Sequence, residues 1–349
     1  MLMRKIIIDL LGGDNGLEPL LQGAVDSLMM NPEIGVVLAG PEQEILQGVR
    51  NYVSDSAFDS SSFSMDDIMS RIEILDTDDY IRNDEPATSI FTGRENSTLG
   101  LSLARLKGDA DCIGYLSAGN TGAILVGSTF RLGLTKGLKT PALSSSLLAN
   151  NGKHFCLVDC GANVNCTAKD LAAFALLGNA FAKAMYHIEE PRIALLSVGR
   201  EEGKGNPLIL EAYQLIKELP VHFIGNAEGY DPINGYADVI VADGYAGNLL
   251  LKNIEAVGKT AMKVIENKKI TASPSEKQLY DELLAELYLM FDMNTQGGAT
   301  FLGTKKPIIK MHGCAVRETV AACADQLLTL HAAGFDRYIA DAYYTGSEP

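Results

Sequence analysis

Short, continuous apolar runs recur along the chain. Each is closed by a turn rich in Gly and Asn and followed by a helix-compatible segment. Ile6–Leu11 leads into Gly12-Gly13-Asp14-Asn15-Gly16, and Gly35–Ala39 into Gly40-Pro41. Cys112–Leu116 leads into Ser117-Ala118-Gly119-Asn120-Thr121-Gly122-Ala123, and His154–Asp159 into Cys160-Gly161-Ala162-Asn163. Arg192–Val198 is followed by Gly199 and then Lys204-Gly205-Asn206, and Val239–Asp243 by Gly244-Tyr245-Ala246-Gly247-Asn248. Runs that are apolar at every position suit strands buried on both faces, and their alternation with helices predicts a parallel sheet covered on both sides. The expected fold class is α/β: a Rossmann-like, doubly wound, mainly parallel sheet in three α/β/α layers, read as one domain over residues 1–349.

Two stretches break this pattern. Ser54–Asp67 is rich in Ser and Asp and reads as a solvated loop or surface insertion. Farther on, Ser273-Pro274-Ser275-Glu276 has the form of a capping box with Pro at the first helical position. Leu279, Leu283, Leu284, Leu287, Tyr288 and Phe291 then follow at helical spacing. The amphipathic helix so predicted packs in the core or against a second subunit on one reading, and meets a membrane or an acyl chain on another. The helical segment at about 258–293 is its expected location.

Composition narrows the functional classes. With 349 residues and 47% hydrophobic content the chain can bury a large core, and 34 Gly with no Trp suits an α/β enzyme with many tight turns. The net charge of -15 argues against nucleic acid as a partner and against general attraction to an acidic membrane. No apolar run reaches membrane-span length, and the one at the N-terminus is too short for a signal peptide, so a cytoplasmic location is expected. The six Cys form no Cys-x-x-Cys pair and read as free buried thiols. The carboxylates and His show no metal-ligand spacing, so no metal is expected.

In doubly wound sheets ligands bind beyond the carboxyl ends of the strands, where these turns lie. Gly-rich turns opening onto helix N-termini favour anions through exposed N–H groups and the helix dipole. The candidates are Gly12, Gly13, Asp14, Ser117, Gly119, Asn120, Thr121, Asp159, Asn163, Lys204, Asn206, Asp243, Asn248 and His312. Several have a plain structural alternative. Asn248 precedes the helical run Leu249–Val264 and could cap it, Asn120 and Thr121 share that ambiguity, and Asp9, Asp14, Asp159 and Asn163 could be turn formers. The turns match neither the P-loop, nor Gly-x-Gly-x-x-Gly, nor a Gly-x-Ser-x-Gly elbow. No Cys or Ser is clearly partnered by His. If phosphate is itself the nucleophile, it needs little general base, since its second pKa is about 6. It needs a cradle, alignment and donors aimed at the developing oxyanion, which Gly, Asn and Lys can supply.

These motifs together resemble the bacterial phosphate acyltransferases of the PlsX type. The resemblance runs over nearly the whole chain. It takes in Asp9–Asp14, Ser117–Ala123, Asp159–Asn163, Leu195–Gly199, Lys204–Asn206, Phe223–Gly229, Ala237–Gly244, Gly247-Asn248, Gly297-Gly298-Ala299 and His312-Gly313. It implies a fold related to the phosphotransacetylases and to isocitrate-type dehydrogenases. It implies transfer of a long acyl group from acyl carrier protein to inorganic phosphate, for phospholipid synthesis, with no cofactor. It further implies a homodimer, peripheral contact with the inner face of the membrane, and a downstream glycerol-phosphate acyltransferase. Lys204 would contact phosphate or the reaction-centre oxygen, Asn248 would hold the substrate or the oxyanion, and His312 would lie near the pocket.

The sequence departs from the family pattern at Leu10-Leu11, Thr140, Ser197, Arg200 and Cys314-Ala315. Acyl carrier protein is strongly acidic, so docking calls for a local basic patch, either Arg131, Lys136 and Lys139 or Lys259, Lys263, Lys268 and Lys269. The alternatives are a short-chain acyl-coenzyme A phosphotransacylase, a non-catalytic acyl- or phosphate-binding homologue, and a nicotinamide-dependent dehydrogenase.

Overall fold

The strands form where the sequence is apolar at successive positions. In the computed structural model, which describes residues 3–54, 63–292, 297–335 and 337–339, Ile6, Ile7 and Ile8 are all buried. In chain order the elements begin β1 (Arg4–Asp9), α1 (Leu17–Met30), β2 (Ile34–Gly40), α2 (Glu42–Ser54), α3 (Met65–Ser70), β3 (Ile72–Asp76), α4 (Thr98–Gly108), β4 (Cys112–Ser117) and α5 (Thr121–Gly127). They continue with β5 (Ala142–Leu148), β6 (His154–Val158), α6 (Ala168–Tyr186), β7 (Ile193–Leu196), α7 (Pro207–Lys217), β8 (Phe223–Ala227), β9 (Val239–Val241), α8 (Gly244–Ile270) and α9 (Pro274–Phe291). They end with β10 (Ala299–Leu302), β11 (Ile308–Lys310) and α10 (Arg317–Ala332). The chain divides into two compact units, Met1–Pro141 with Gly297–Asp336, and Ala142–Gln296 with Arg337–Pro349.

In the first unit the strand order is β3-β2-β1-β4-β11-β10, parallel except for β10 against β11. The chain steps from β1 through β2 to β3 in one direction and returns through α4 to β4 on the other side of β1. Right-handed crossovers therefore put α1 and α4 on opposite faces, so the sheet is doubly wound, with its switch point between the carboxyl ends of β1 and β4. Leu20, Leu21 and Leu28 of α1, Val320 and Leu327 of α10, and the strand residues Ile6, Val36, Leu38 and Ile309 form one core.

In the second unit the order is β5-β6-β9-β7-β8, parallel except for β5 against β6. α6 packs on β6 and β9, and Phe174, Leu177 and Phe181 on it are fully buried. β5 lies outside the predicted strand runs because Ser144, Ser145 and Ser146 interrupt its apolar character. All three are buried, and their hydroxyls bond Cys156, Cys160 and the ring of His154 across the β5–β6 pair.

Three readings are corrected. The Ser54–Asp67 stretch is not all loop: Ser64 caps α3, its hydroxyl accepting the Asp67 N–H at 3.1 Å, and residues 55–62 lie outside the described residues. The thiols are free but not all buried, since Cys166 is half-buried and Cys314, in the turn before α10, is exposed. The predicted box at Ser273 forms, with the Glu276 carboxylate accepting the Ser273 N–H at 2.8 Å. Yet Leu284 is the only buried residue of α9, and Leu279 of the predicted stripe is more than half exposed. Its apolar stripe is therefore only partly covered within this chain: Leu287 and Phe291 are half-buried, while Leu283 and Tyr288 are exposed. Met293, at the end of the predicted segment, lies outside the described residues.

Phe174→Ala is expected to cost about 3–5 kcal/mol, because it leaves a ring-sized void under a rigid sheet. Denaturant unfolding of the two proteins measures this, and a cost under about 1 kcal/mol would mean that α6 does not carry that core.

Candidate active site

The turns after β6, β9 and β7 follow neighbouring parallel strands, so they lie side by side at the carboxyl edge of the second unit. The first is built on Asp159, which is fully buried. Its carboxylate accepts the N–H groups of Leu143 (3.1 Å), Gly161 (3.1 Å), Ala162 (3.0 Å) and Asn163 (2.7 Å), and the Asn163 side-chain amide at 2.8 Å. Burial pushes this carboxyl above its ordinary range, and these donors pull it back. The N–H groups that a sequence reading would offer to an anionic ligand are thus already occupied by an anion of the chain itself.

The start of α8 packs directly onto this turn. A Cβ on Gly247 would lie 1.9 Å from the Asp159 carbonyl oxygen, so only glycine permits the approach. The Gly244 N–H donates to the Asn163 carbonyl at 2.8 Å. Asp243, not Asn248, caps this helix, its carboxylate accepting the Tyr245 and Ala246 N–H groups at 3.0 and 2.9 Å. The helix therefore begins five residues before the predicted run at Leu249. Asn248 stands in its second turn, exposed, with its amide beside Gly161.

Lys204 closes a tight turn over Glu201–Lys204, its N–H donating to the Glu201 carbonyl at 3.0 Å. The Ser197 hydroxyl donates to the Lys204 carbonyl at 3.0 Å. The Lys204 side chain is exposed, and no described carboxylate lies within 4.0 Å of its ammonium. Asn206 caps α7 by accepting the Ile209 N–H at 3.0 Å. Arg200, just ahead of the turn, pairs with the buried carboxylate of Asp231 and stacks on Tyr236, 4.6 Å from the ring centroid.

In the first unit the turns after β1, β4 and β11 meet at the switch point. Gly12 has φ +84°, and a Cβ there would lie 3.0 Å from the Gly119 Cα. That combination of left-handed backbone and close approach selects glycine. The Asp14 N–H donates to the Gly313 carbonyl at 2.7 Å, and the Asn15 amide to the Cys314 carbonyl at 3.0 Å. Beneath them the Asp9 carboxylate accepts hydroxyls from Tyr115 and Ser117, each at 2.9 Å, and the Ser117 oxygen accepts the Gly119 N–H at 3.0 Å. Burial pushes the Asp9 carboxyl up against these bonds. A cavity of about 10 Å³, room for a single water, lies against Asp9, Gly12, Ser117 and Gly119.

Asn120 caps α5, accepting the Ala123 N–H at 3.0 Å, and its amide donates to the carbonyls of Arg82 and Glu85. Thr121 opens that helix, and Asp14 is exposed at the rim of the turn. His312 is half-buried, its Nδ1 lying 3.6 Å from the exposed Cys314 Sγ. Among the described residues, the N–H groups of Gly12 and Gly13 have no acceptor. Also among them, no three His, Cys, Asp or Glu side chains are grouped to hold a metal ion.

A family described as "Fatty acid synthesis protein" matches residues 4–336. A phosphate acyltransferase of Clostridioides difficile is 33% identical over 325 residues, covering 92% of this chain and 91% of its own. That of Streptococcus uberis is 34% identical over 333 residues, covering 94% of each chain. The chain belongs to the phosphate acyltransferase family.

Members of this family are acyl-transferring enzymes by name, and this chain is a transferase of that kind. Its fold is shared with a phosphotransacetylase from Streptococcus pyogenes (TM-score 0.60, 16% identity, 94% of each chain). It is likewise shared with the EutD phosphotransacetylase from Staphylococcus aureus (TM-score 0.58, 13% identity, 95% of this chain and 94% of that one). Among its described residues, no helix is long and apolar enough to cross a membrane. Reading residues one at a time missed Asn226 and Asp231, which hold the Lys204 turn from β8 and the segment after it. The signal for Asn226 was its place in the Phe223–Gly229 motif of the family resemblance.

Gly247→Ala is expected to destabilise the protein by about 3 kcal/mol or more, since backbone must move on both sides of the contact. Thermal unfolding reads this, and an unchanged midpoint would contradict the packing. A second expectation concerns pH. The Arg200 guanidinium holds the Asp231 carboxyl below its ordinary range. A depressed carboxyl stabilises the fold above the unfolded pKa of about 4 and loses that contribution as pH falls through its folded value. The stability gap between wild type and Asp231→Asn should therefore be full at neutral pH and shrink below about pH 4. A gap that stays constant down to about pH 3 would count against the pair.

Proposed function

We propose that this phosphate acyltransferase moves a long-chain acyl group from acyl carrier protein to inorganic phosphate, supplying acyl phosphate to phospholipid synthesis. The observation that carries the reading is that exposed Lys204 and exposed Asn248 follow the neighbouring parallel strands β7 and β9, at one carboxyl edge of the sheet. The family supplies phosphate as the acceptor, by the name of its members.

In this mechanism Lys204 holds the phosphate dianion, and one phosphate oxygen attacks the thioester carbonyl carbon. The Asn248 amide donates to the oxyanion that forms. The C–S bond then breaks, and the pantetheine sulfur leaves as a thiolate that takes a proton from solvent. Loss of an oxyanion donor of this kind costs about 10²–10³ in rate. The N–H groups of Gly12 and Gly13, with Asp14, Thr121 and His312, are proposed as substrate-binding groups of the first unit. Asp159, Asn163, Asn206, Asp243, Ser117, Gly119 and Asn120 are assigned to shaping the turns, because their polar groups are engaged within them.

The exposed stripe on α9 is proposed as the face that meets a second copy of the chain or a lipid surface. For carrier docking the basic cluster on α8 is favoured in part: Lys259, Lys263 and Lys268 are exposed, while Lys269 pairs with Asp281. In the other cluster Arg131 is held by the Ile90 carbonyl and stacked on Phe91, leaving Lys136 and Lys139 exposed.

Acyl phosphate formation from palmitoyl-acyl carrier protein and phosphate tests the reading. Wild type should form product, and Lys204→Ala should lose about 100-fold or more in rate. Product from both proteins would remove Lys204 from the mechanism. Product only from short-chain coenzyme A esters would replace the carrier-protein substrate, and none from any donor would leave a binding protein.

A further inference from the structure

The Glu201–Lys204 turn is held from one side by two buried polar groups. The β8 residue Asn226 is 1% exposed, and its side-chain amide donates to the Glu201 carbonyl at 3.0 Å and to the Lys204 carbonyl at 3.5 Å. One amide thus reaches both ends of the turn, whose own bond joins the Lys204 N–H to the Glu201 carbonyl. The Asn226 Oδ1 has no partner in the structure. Turning the amide over would put that oxygen against two carbonyl oxygens, so the turn itself fixes which way it points.

Asp231, fully buried in the segment after β8, accepts the Glu228 N–H at 2.8 Å and the Arg200 Nε–H at 3.0 Å. Arg200 is the residue that leads into the turn. The segment between these anchors is Glu201-Glu202-Gly203-Lys204-Gly205, exposed except for half-buried Gly205, with the Glu202 carboxylate accepting from Gln214 at 3.0 Å and Lys217 at 3.4 Å on α7. Left to itself, such a segment populates many conformations.

We propose that Asn226 and Asp231 are positioning residues that hold the Glu201–Lys204 turn in the conformation presenting the Lys204 ammonium. The assignment deepens the proposed role of Lys204 and rests on it for its kinetic consequence. Burying an amide with one unsatisfied oxygen costs about 1–3 kcal/mol. An apolar residue at the end of β8 would avoid that cost but would leave both turn carbonyls without this donor.

The test uses the full chain as wild type, Asn226→Asp, Asp231→Asn, Lys204→Ala and Lys204→Ala with Asn226→Asp. Asn226→Asp keeps the shape and removes the donors, and Asp231→Asn keeps the shape and removes the charge. Backbone hydrogen exchange over residues 200–205 should speed about tenfold or more in each of these single variants, with the exchange of β6 and β9 unchanged. In acyl phosphate formation the phosphate KM should rise between about tenfold and about 100-fold, with the thioester KM unmoved. In the Lys204→Ala background, Asn226→Asp should add less than about twofold, because the two act as one unit.

Unchanged exchange in folded Asn226→Asp and Asp231→Asn would overturn the clamp, and so would a full additional cost in the Lys204→Ala background. If Lys204→Ala is itself fully active, the proposed mechanism fails, and the exchange data still decide whether the turn is held as described. Should Asn226→Asp not fold, Asp231→Asn carries the same exchange and KM comparison.

Discussion

The buried carboxylate of Asp159 gathers four backbone N–H groups and one side-chain amide within 3.1 Å, and the second unit is arranged around that fact. An ionised group taken out of water has to find donors, and here the donors are the turn itself and the neighbouring strand through Leu143. Against the carbonyl of Asp159, at the start of the turn so closed, only a residue without a side chain can lie. Gly247 meets that condition, and through it α8 is seated with Asn248 next to Gly161. A buried carboxylate thereby sets where the exposed amide of the helix stands.

The first unit solves a similar problem with Asp9. Its carboxylate, under the switch point, collects the hydroxyls of Tyr115 and Ser117, and Ser117 in turn fixes the Gly119 N–H against Gly12. In the second unit the buried acid consumes backbone donors that a Gly-rich turn would otherwise offer to an anion, whereas in the first the Gly12 and Gly13 N–H groups have no acceptor among the described residues. In the second unit, therefore, an anion would have to be met by a side chain. Lys204 is exposed on a turn whose backbone is bound from Ser197, from Asn226 and, through Arg200, from Asp231.

Much of the architecture was legible in the chain. The strands β1, β2, β4, β6, β7 and β9 coincide with runs that are apolar at successive positions, because a strand covered on both faces tolerates no polar alternation. β5 escaped that rule because three buried serines satisfy one another's neighbourhood through Cys156, Cys160 and His154, and a hydroxyl with a partner need not be at the surface. The apolar spacing of α9 was legible as a helix. Its environment was not, since the same stripe suits a core, a second subunit or a lipid surface.

What the sequence determined by itself was the periodicity, the turn chemistry and the ordered motifs that place the chain in its family, all of which depend on residues near one another. The tertiary structure decided which polar residues face outward. Asp243 rather than Asn248 caps α8, Asn120 and Asn206 close their own helices, and Asn226 reaches from β8 to both ends of the Lys204 turn. These outcomes depend on which strand lies beside which, and on whether a carbonyl or a side chain fills the few ångströms between them. Separation along the chain does not encode that, because hydrogen bonding acts over 3 Å in space whatever the distance in sequence.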